Sequence, residues 1–216
     1  MTATPTNSET TSSGLRHIGH FIAGCAVPGD SGRTAPVYDP AVGTQTSEVA
    51  LASPAEVDAV VASAVEASQS WRTSSLTRRA SLLFRLREIL DASREELASA
   101  VTREHGKVLE DARGEVARGI ENVEFACGIP NLLKGSSNSE VSTGIDIRTV
   151  LEPLGVVAGI TPFNFPIMVP LWMMANAIAC GNCFVLKPSE KDPSASLVLA
   201  DMSMMSTSPC RVISRI

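Results

Sequence analysis

Aromatic residues are scarce in this chain, at 4% of its 216 residues. A core must therefore come from aliphatic side chains and alanine. A hydrophobic share of 44% supplies enough of them to exclude a chain disordered throughout. Positive charge is also short. Lys and Arg number 18 against 23 Asp and Glu, a formal net charge of −5, so no global basic field awaits a nucleic acid. The three histidines, His17, His20 and His105, form no convincing ligand spacing, and no metal site is expected. Five cysteines, an odd number at irregular spacing, make a poor disulfide framework. Residues 1–14 are rich in Ser and Thr, lack the apolar centre of a signal peptide, and read as a mobile tail. A reducing cytoplasm is the expected setting. Absent too are Gly-x-Gly-x-x-Gly, the phosphate loop ending in Gly-Lys-Ser/Thr, His-Glu-x-x-His and Gly-x-Ser-x-Gly.

What is present reads as soluble α/β. Pro153 to Leu186 carries no charge, but Pro162, Asn164, Pro166, Pro170, Asn176 and Gly181 interrupt it. The smooth part, Ile167 to Cys180, is too short to span a bilayer. Upstream, His20–Gly24, Pro36–Pro40 and Gln45–Leu51 read as extended. Ser53-Pro54-Ala55-Glu56 combines an N-cap, a proline suited to N1 and a capping-box glutamate. The helix it starts is expected to bury Val57, Val60, Val61, Ala64 and Val65. Thr77 is the expected cap of a second helix that carries Leu83, Leu86, Leu90, Leu97 and Val101 and stops at Gly106. A third helix spans Leu109–Phe125. Gly135–Asn138 is a predicted turn, and Glu140–Leu151 a strand exposed on one side. Gly155–Ile160 and Cys183–Leu186 are short apolar runs, predicted as strands buried on both faces. Helices over Pro166–Ala179 and Pro193–Asp201, the latter with Asp192 as cap, complete a βαβα order and a parallel sheet.

In such sheets ligands gather beyond the carboxyl ends of the strands. Those ends carry Thr161-Pro162-Phe163-Asn164 and Lys187-Pro188-Ser189-Glu190. An Asn amide there can donate to a developing oxyanion, or it can satisfy a turn. Lys187 and Glu190 can hold vicinal ribose hydroxyls, or simply pair with each other. Arg118 can grip a carboxylate in bidentate fashion, or form a surface salt bridge. Cys180-Gly181-Asn182-Cys183 lies between a helix end and a strand. That is the wrong place for a dipole-activated thiol, so two packed cysteines are expected there.

Thr161-Pro162-Phe163-Asn164-Phe165-Pro166, Gly181-Asn182 and Lys187-Pro188-Ser189-Glu190 together resemble the NAD(P)-dependent aldehyde dehydrogenases. Glu104-His105-Gly106-Lys107 and the run from Glu115 to Glu121 resemble its CoA-acylating methylmalonate-semialdehyde dehydrogenase branch. The likeness covers about Ile18 to Ala200. It implies a partial Rossmann-like NAD-binding domain, formed by 15–133 and 151–200, with a β oligomerisation segment at 134–150. It implies Asn164 as the side-chain half of an oxyanion hole. Ile160, Thr161, Pro162 and Phe163 would line the cofactor path, Lys187 and Glu190 would bind the adenosine ribose of NAD, and Arg118 would hold the substrate carboxylate. The implied partners are a small aldehyde, CoA as acyl acceptor and further copies of the subunit in a tetramer, with no nucleic acid and no membrane. The implied reaction oxidises methylmalonate or malonate semialdehyde to an acyl-CoA in valine or inositol breakdown.

The departures shape the expectation of activity. In the family's chemistry a thiolate attacks the aldehyde, hydride passes to the nicotinamide, and CoA cleaves the thioester. The Gly-x-Thr-x-x-Gly turn and the segment bearing that cysteine do not occur in this sequence, so the catalytic domain is taken as absent. None of Cys25, Cys127, Cys180, Cys183 or Cys210 stands in the nucleophile's context. Residues 201–216 do not resemble the family. The chain is read as an amino-terminal fragment, ended by a frameshift near Asp201 or by natural truncation. It is expected to be inactive alone, to bind NAD weakly or not at all, and to be poorly soluble through an unpaired sheet edge. The alternative is a non-catalytic protein that pairs with full-length subunits or binds nucleotide weakly.

Overall fold

A computed structural model describes residues 14–207 and 213–215. The expected tail over 1–13, and Cys210, lie outside the described residues. Three short strands, β1 (Arg16–Ile18), β2 (His20–Ile22) and β3 (Cys25–Val27), precede an antiparallel pair, β4 (Thr34–Asp39) and β5 (Thr44–Ala50). Helices α1 (Pro54–Trp71), α2 (Leu76–Ala92), α3 (Arg94–His105), α4 (Leu109–Cys127) and the single turn α5 (Ile129–Leu132) follow. A hairpin of β6 (Ser136–Ser142) and β7 (Ile145–Thr149) leads into β8 (Val156–Ile160), α6 (Met168–Ala179), β9 (Cys183–Lys187), α7 (Ser194–Thr207) and β10 (Ile213–Arg215).

The predicted parallel sheet is present. β8 pairs with β9 and β9 with β10, each in parallel, while β2 joins β10 antiparallel, giving the order β3-β2-β10-β9-β8. α6 packs on α4, and α7 on α2 and α3. The close seat of α6 requires Gly119: a Cβ there would lie 2.6 Å from the Leu171 Cδ1 atom. One apolar cluster links Leu83, Leu86, Leu90, Leu97, Val101, Ile120, Leu171, Ile178 and Phe184. Among the described residues, Trp71 and Phe184 are the only aromatics of the largest fully buried side chains.

Local signals account for several boundaries. The Ser53 hydroxyl accepts the Glu56 N–H at 3.2 Å, and the Glu56 carboxylate accepts the Ser53 N–H at 2.8 Å, closing the capping box in both directions. Gly106 ends α3 at φ +80°, where a side chain would be strained and a Cβ would meet Pro40. Gly181 and Asn182 end α6. The Asn182 side chain accepts the Gly155 N–H and donates to the Ala177 carbonyl, so it pins the start of β8 to the helix end.

Other expectations need correction. α1 buries Glu56, Val60, Ala64, Ser68 and Trp71, while Val57, Val61 and Val65 are exposed, because the helix rolls its capping glutamate and its tryptophan inward. Ser75, not Thr77, caps α2 by accepting the Arg78 N–H. The long second helix is two: Ser93 closes α2 and opens α3. Glu140–Leu151 is not one strand. Thr143 and Gly144 turn the chain between β6 and β7, and every residue of that hairpin is exposed. β8 is an edge strand with Ala158 and Ile160 exposed, not a strand buried on both faces. Asp192 does not cap α7; Glu104 takes the Ser194 N–H at 2.9 Å instead. α7 runs past Asp201 to Thr207 without a break.

Candidate functional site

The carboxyl ends of β8 and β9 lie side by side. Ile160 and Lys187 are register partners, and the Thr161 N–H donates to the Lys187 carbonyl at 3.1 Å. Ile160, Pro162, Phe163 and Asn164 are exposed. Thr161 is buried, and among the described residues its hydroxyl has no hydrogen-bond partner. The Phe163 ring stacks on His105 at 6.1 Å, and the Lys191 ammonium sits 4.6 Å from the Phe163 centroid. Burial, and then Lys107, lower the His105 pKa, which favours the neutral imidazole in that stack.

Lys187 and Glu190 pair at 3.0 Å, each about half exposed. An exposed pair of this kind adds little stability. It leaves two further ammonium protons and most carboxylate lone pairs open to a ligand. Glu190's own backbone N–H, and then Lys187, hold the carboxyl below its ordinary value, so it is an acceptor at neutral pH. Beside the pair runs a cleft of about 260 Å³ lined by Val49, Ala50, Leu51, Ala52, Val57, Lys187, Pro188, Ser189 and Glu190. An apolar trough with one cation and one anion on its rim suits a flat base joined to a diol. Val57, which faces away from the core, is part of that trough.

Asn164 and Arg118 are less directly joined to this rim. The Asn164 carbonyl accepts the Lys107 ammonium at 3.0 Å. Arg118 is exposed on α4, one turn beyond Glu115. Its Nε donates to the Gly114 carbonyl, and among the described residues it pairs with no carboxylate. Among the described residues no hydrogen bond or ion pair joins Arg118 to Asn164 or to Lys187. Cys183 is buried and Cys180 half-buried, as expected of packed cysteines, and burial raises the Cys180 pKa, which disfavours a thiolate.

Sequence reasoning passed over a group of charges behind the rim. Glu115 is fully buried and pairs with Lys107 at 2.6 Å. Its other oxygen accepts the N–H groups of Ile167 and Met168, at the start of α6. The signal was present in the Glu104–Lys107 run and at Glu115, but their convergence is tertiary. Asp192 is also buried. Burial, then Glu104, raise its carboxyl to about 7. Its folded-state value thus exceeds the unfolded 3.8, so the folded chain keeps a proton that the unfolded chain has released. Stability from this group is full at acid pH and is lost as pH rises through about 7. Asp192→Asn should therefore gain stability over the parent chain progressively from about pH 4 to about pH 8. Urea midpoints across that range check this, and a difference that does not vary with pH contradicts it.

A parallel βαβα core with polar groups gathered at its strand ends is the architecture of cofactor-dependent α/β enzymes. The chain belongs to the aldehyde dehydrogenase family, whose model matches residues 26–216. It is 46% identical over 183 residues to a malonate-semialdehyde dehydrogenase of Pseudomonas aeruginosa, covering 85% of this chain and 37% of the relative. It is 41% identical over 196 residues to the mitochondrial acylating methylmalonate-semialdehyde dehydrogenase of Arabidopsis thaliana, covering 91% of this chain and 32% of that one. Among solved structures, a Sinorhizobium meliloti protein assigned as a methylmalonate-semialdehyde dehydrogenase, in complex with NAD, superposes with a TM-score of 0.87 at 42% identity. That match covers 94% of this chain and 41% of the other. The chain thus spans about two fifths or less of the length of these relatives. The family match runs through residue 216, into the segment that the sequence reading sets apart. Among the described residues no helix is long and apolar enough to cross a membrane.

Proposed function

We propose that this chain is the cofactor-side, amino-terminal part of an enzyme that oxidises methylmalonate semialdehyde or malonate semialdehyde to an acyl-CoA with NAD. The observation that supports this most is the trough beside Lys187 and Glu190, set at the carboxyl end of a parallel strand. Its residues fit an adenosine: apolar walls for the base, with an ammonium and an ionised carboxylate for the ribose hydroxyls. The unpartnered Thr161 hydroxyl lies at the end of the neighbouring strand. When bound, NAD supplies the hydride acceptor. Lys187 and Glu190 orient its ribose, Ile160 to Phe163 flank its path, the Asn164 amide donates to the developing oxyanion, and Arg118 takes the substrate carboxylate. The reaction belongs to valine or inositol breakdown in the cytoplasm, by a tetramer.

Nucleophilic attack needs an activated thiolate, and among the described residues Cys127, Cys180 and Cys183 are poorly suited to supply one. Burial raises the pKa of Cys127 and of Cys180, and Cys183 is buried. Incubated with methylmalonate semialdehyde, CoA and NAD, the purified chain should yield no reduced nicotinamide above the protein-free control. Sustained turnover would refute the assignment of catalysis to a segment outside these residues.

The exposed hairpin supports a second, non-catalytic reading. Val141, Ile145, Ile147, Val150 and Leu151 each expose about half or more of their surface. Such a surface suits association with full-length subunits. Co-purification with an intact dehydrogenase of the same branch supports that role.

A further inference from the structure

The segment that carries Asn164 is held at Asn164 and at the start of α6 by one ion pair. We propose that Lys107 is a positioning residue for Asn164, acting with Glu115 as a clamp between α4 and the start of α6. The proposal rests on the reading of Asn164 as the oxyanion donor. Pro162 and Pro166 restrict the torsions of this segment, yet they do not say where it sits. Thr161 holds its first residue to β9. Beyond that point Asn164 is exposed; Phe163 stacks on His105, the Ser196 hydroxyl donates to the Pro166 carbonyl at 3.4 Å, and charged groups hold the Asn164 carbonyl and the start of α6.

The Lys107 ammonium donates to Glu115 Oε2 at 2.6 Å and to the Asn164 carbonyl at 3.0 Å, and it lies 4.4 Å from the Phe165 centroid. Glu115 Oε1 accepts from the Ile167 N–H at 2.9 Å and from the Met168 N–H at 3.2 Å. One ammonium and one carboxylate therefore fix the Asn164 peptide and the first turn of α6 to the same helix. Glu115 is fully buried and Lys107 nearly so, at 0% and 13% side-chain exposure, so water competes poorly for either. With its carbonyl held, the Asn164 side chain keeps only its own two torsions with which to aim the amide.

A clamp and a packing role make different demands on residue 107. Methionine keeps an apolar stem against Phe165 and loses the charge; arginine keeps the charge and the donors. The test is amide hydrogen exchange on the full chain, parent against Lys107→Met and Lys107→Arg. In Lys107→Met the amides of Ile167 and Met168 should exchange about tenfold faster or more, while those in the interiors of α2 and α3 keep their rates. Lys107→Arg should bring the two amides back to within about threefold of the parent. Parent-like rates in Lys107→Met overturn the proposal, as does a uniform rise throughout the chain or a failure of arginine to restore protection. Should Asn164 prove to have no role at an oxyanion, these rates are unaffected, so the two readings fail separately.

Discussion

Glu115→Ala lowers the stability of the chain by about 3–5 kcal/mol, the range for breaking a buried ion pair from one side. Three groups lose their acceptor at once. The Lys107 ammonium is left mostly buried without its carboxylate, and the Ile167 and Met168 N–H groups at the start of α6 lose theirs. Each orphaned buried donor costs its own desolvation. Glu115→Gln keeps an oxygen for the two N–H groups and removes only the charge, so it should cost roughly half as much or less. Urea unfolding of the three chains checks both expectations. A Glu115→Ala midpoint equal to that of the parent would mean that α6 is anchored by something other than this carboxylate.

Trp71→Ala destabilises by a similar amount, about 3–5 kcal/mol. Trp71 ends α1, is 1% exposed, and is the largest side chain in the core. Its removal opens a cavity where α1 meets the sheet and the end of α6. Its ring N–H also donates to the Ile178 carbonyl at 3.2 Å. That carbonyl accepts the Gly181 N–H as well, at 2.9 Å. Trp71→Phe therefore leaves no buried acceptor unpaired, and should cost about 1–2 kcal/mol, mostly through lost volume. A thermal melt that places Trp71→Ala within a degree or two of the parent would contradict the packing described.

Which features were legible in the chain depends on how far apart the interacting residues lie. The capping box at Ser53 to Glu56 spans three residues, and its chemistry is complete within them. The same holds for the stop at Gly106 and for Lys187 with Glu190. The βαβα order also followed from the text, because a short apolar run flanked by turn residues and then a helical stretch is a local pattern. The burial of α1 was not local. Val57, Val61 and Val65 read as core, yet the helix is oriented by Glu56 and Trp71, which find partners beyond the helix. The break at Ser93 carries no Gly or Pro to announce it. The hairpin turn at Thr143 and Gly144 lay inside an alternating run that looked like one strand. The site shows the same division. Asn164, Lys187 and Glu190 stood out at strand ends, whereas the clamp joins Lys107 to a carbonyl 57 residues away.

We propose that the trough beside Lys187 and Glu190 holds the adenosine half of NAD. Titration of NAD into the full chain, followed by backbone amide chemical shifts, tests that assignment most directly. Shifts centred on residues 49–52, Val57, Lys187, Ser189 and Glu190, with Ile160, Thr161 and Phe163 beside them, are predicted. They should saturate weakly, at about millimolar NAD, because the trough holds only part of a dinucleotide, and they should vanish in Lys187→Ala. NAD that leaves these amides unmoved at such concentrations, or moves them equally in Lys187→Ala, would contradict it.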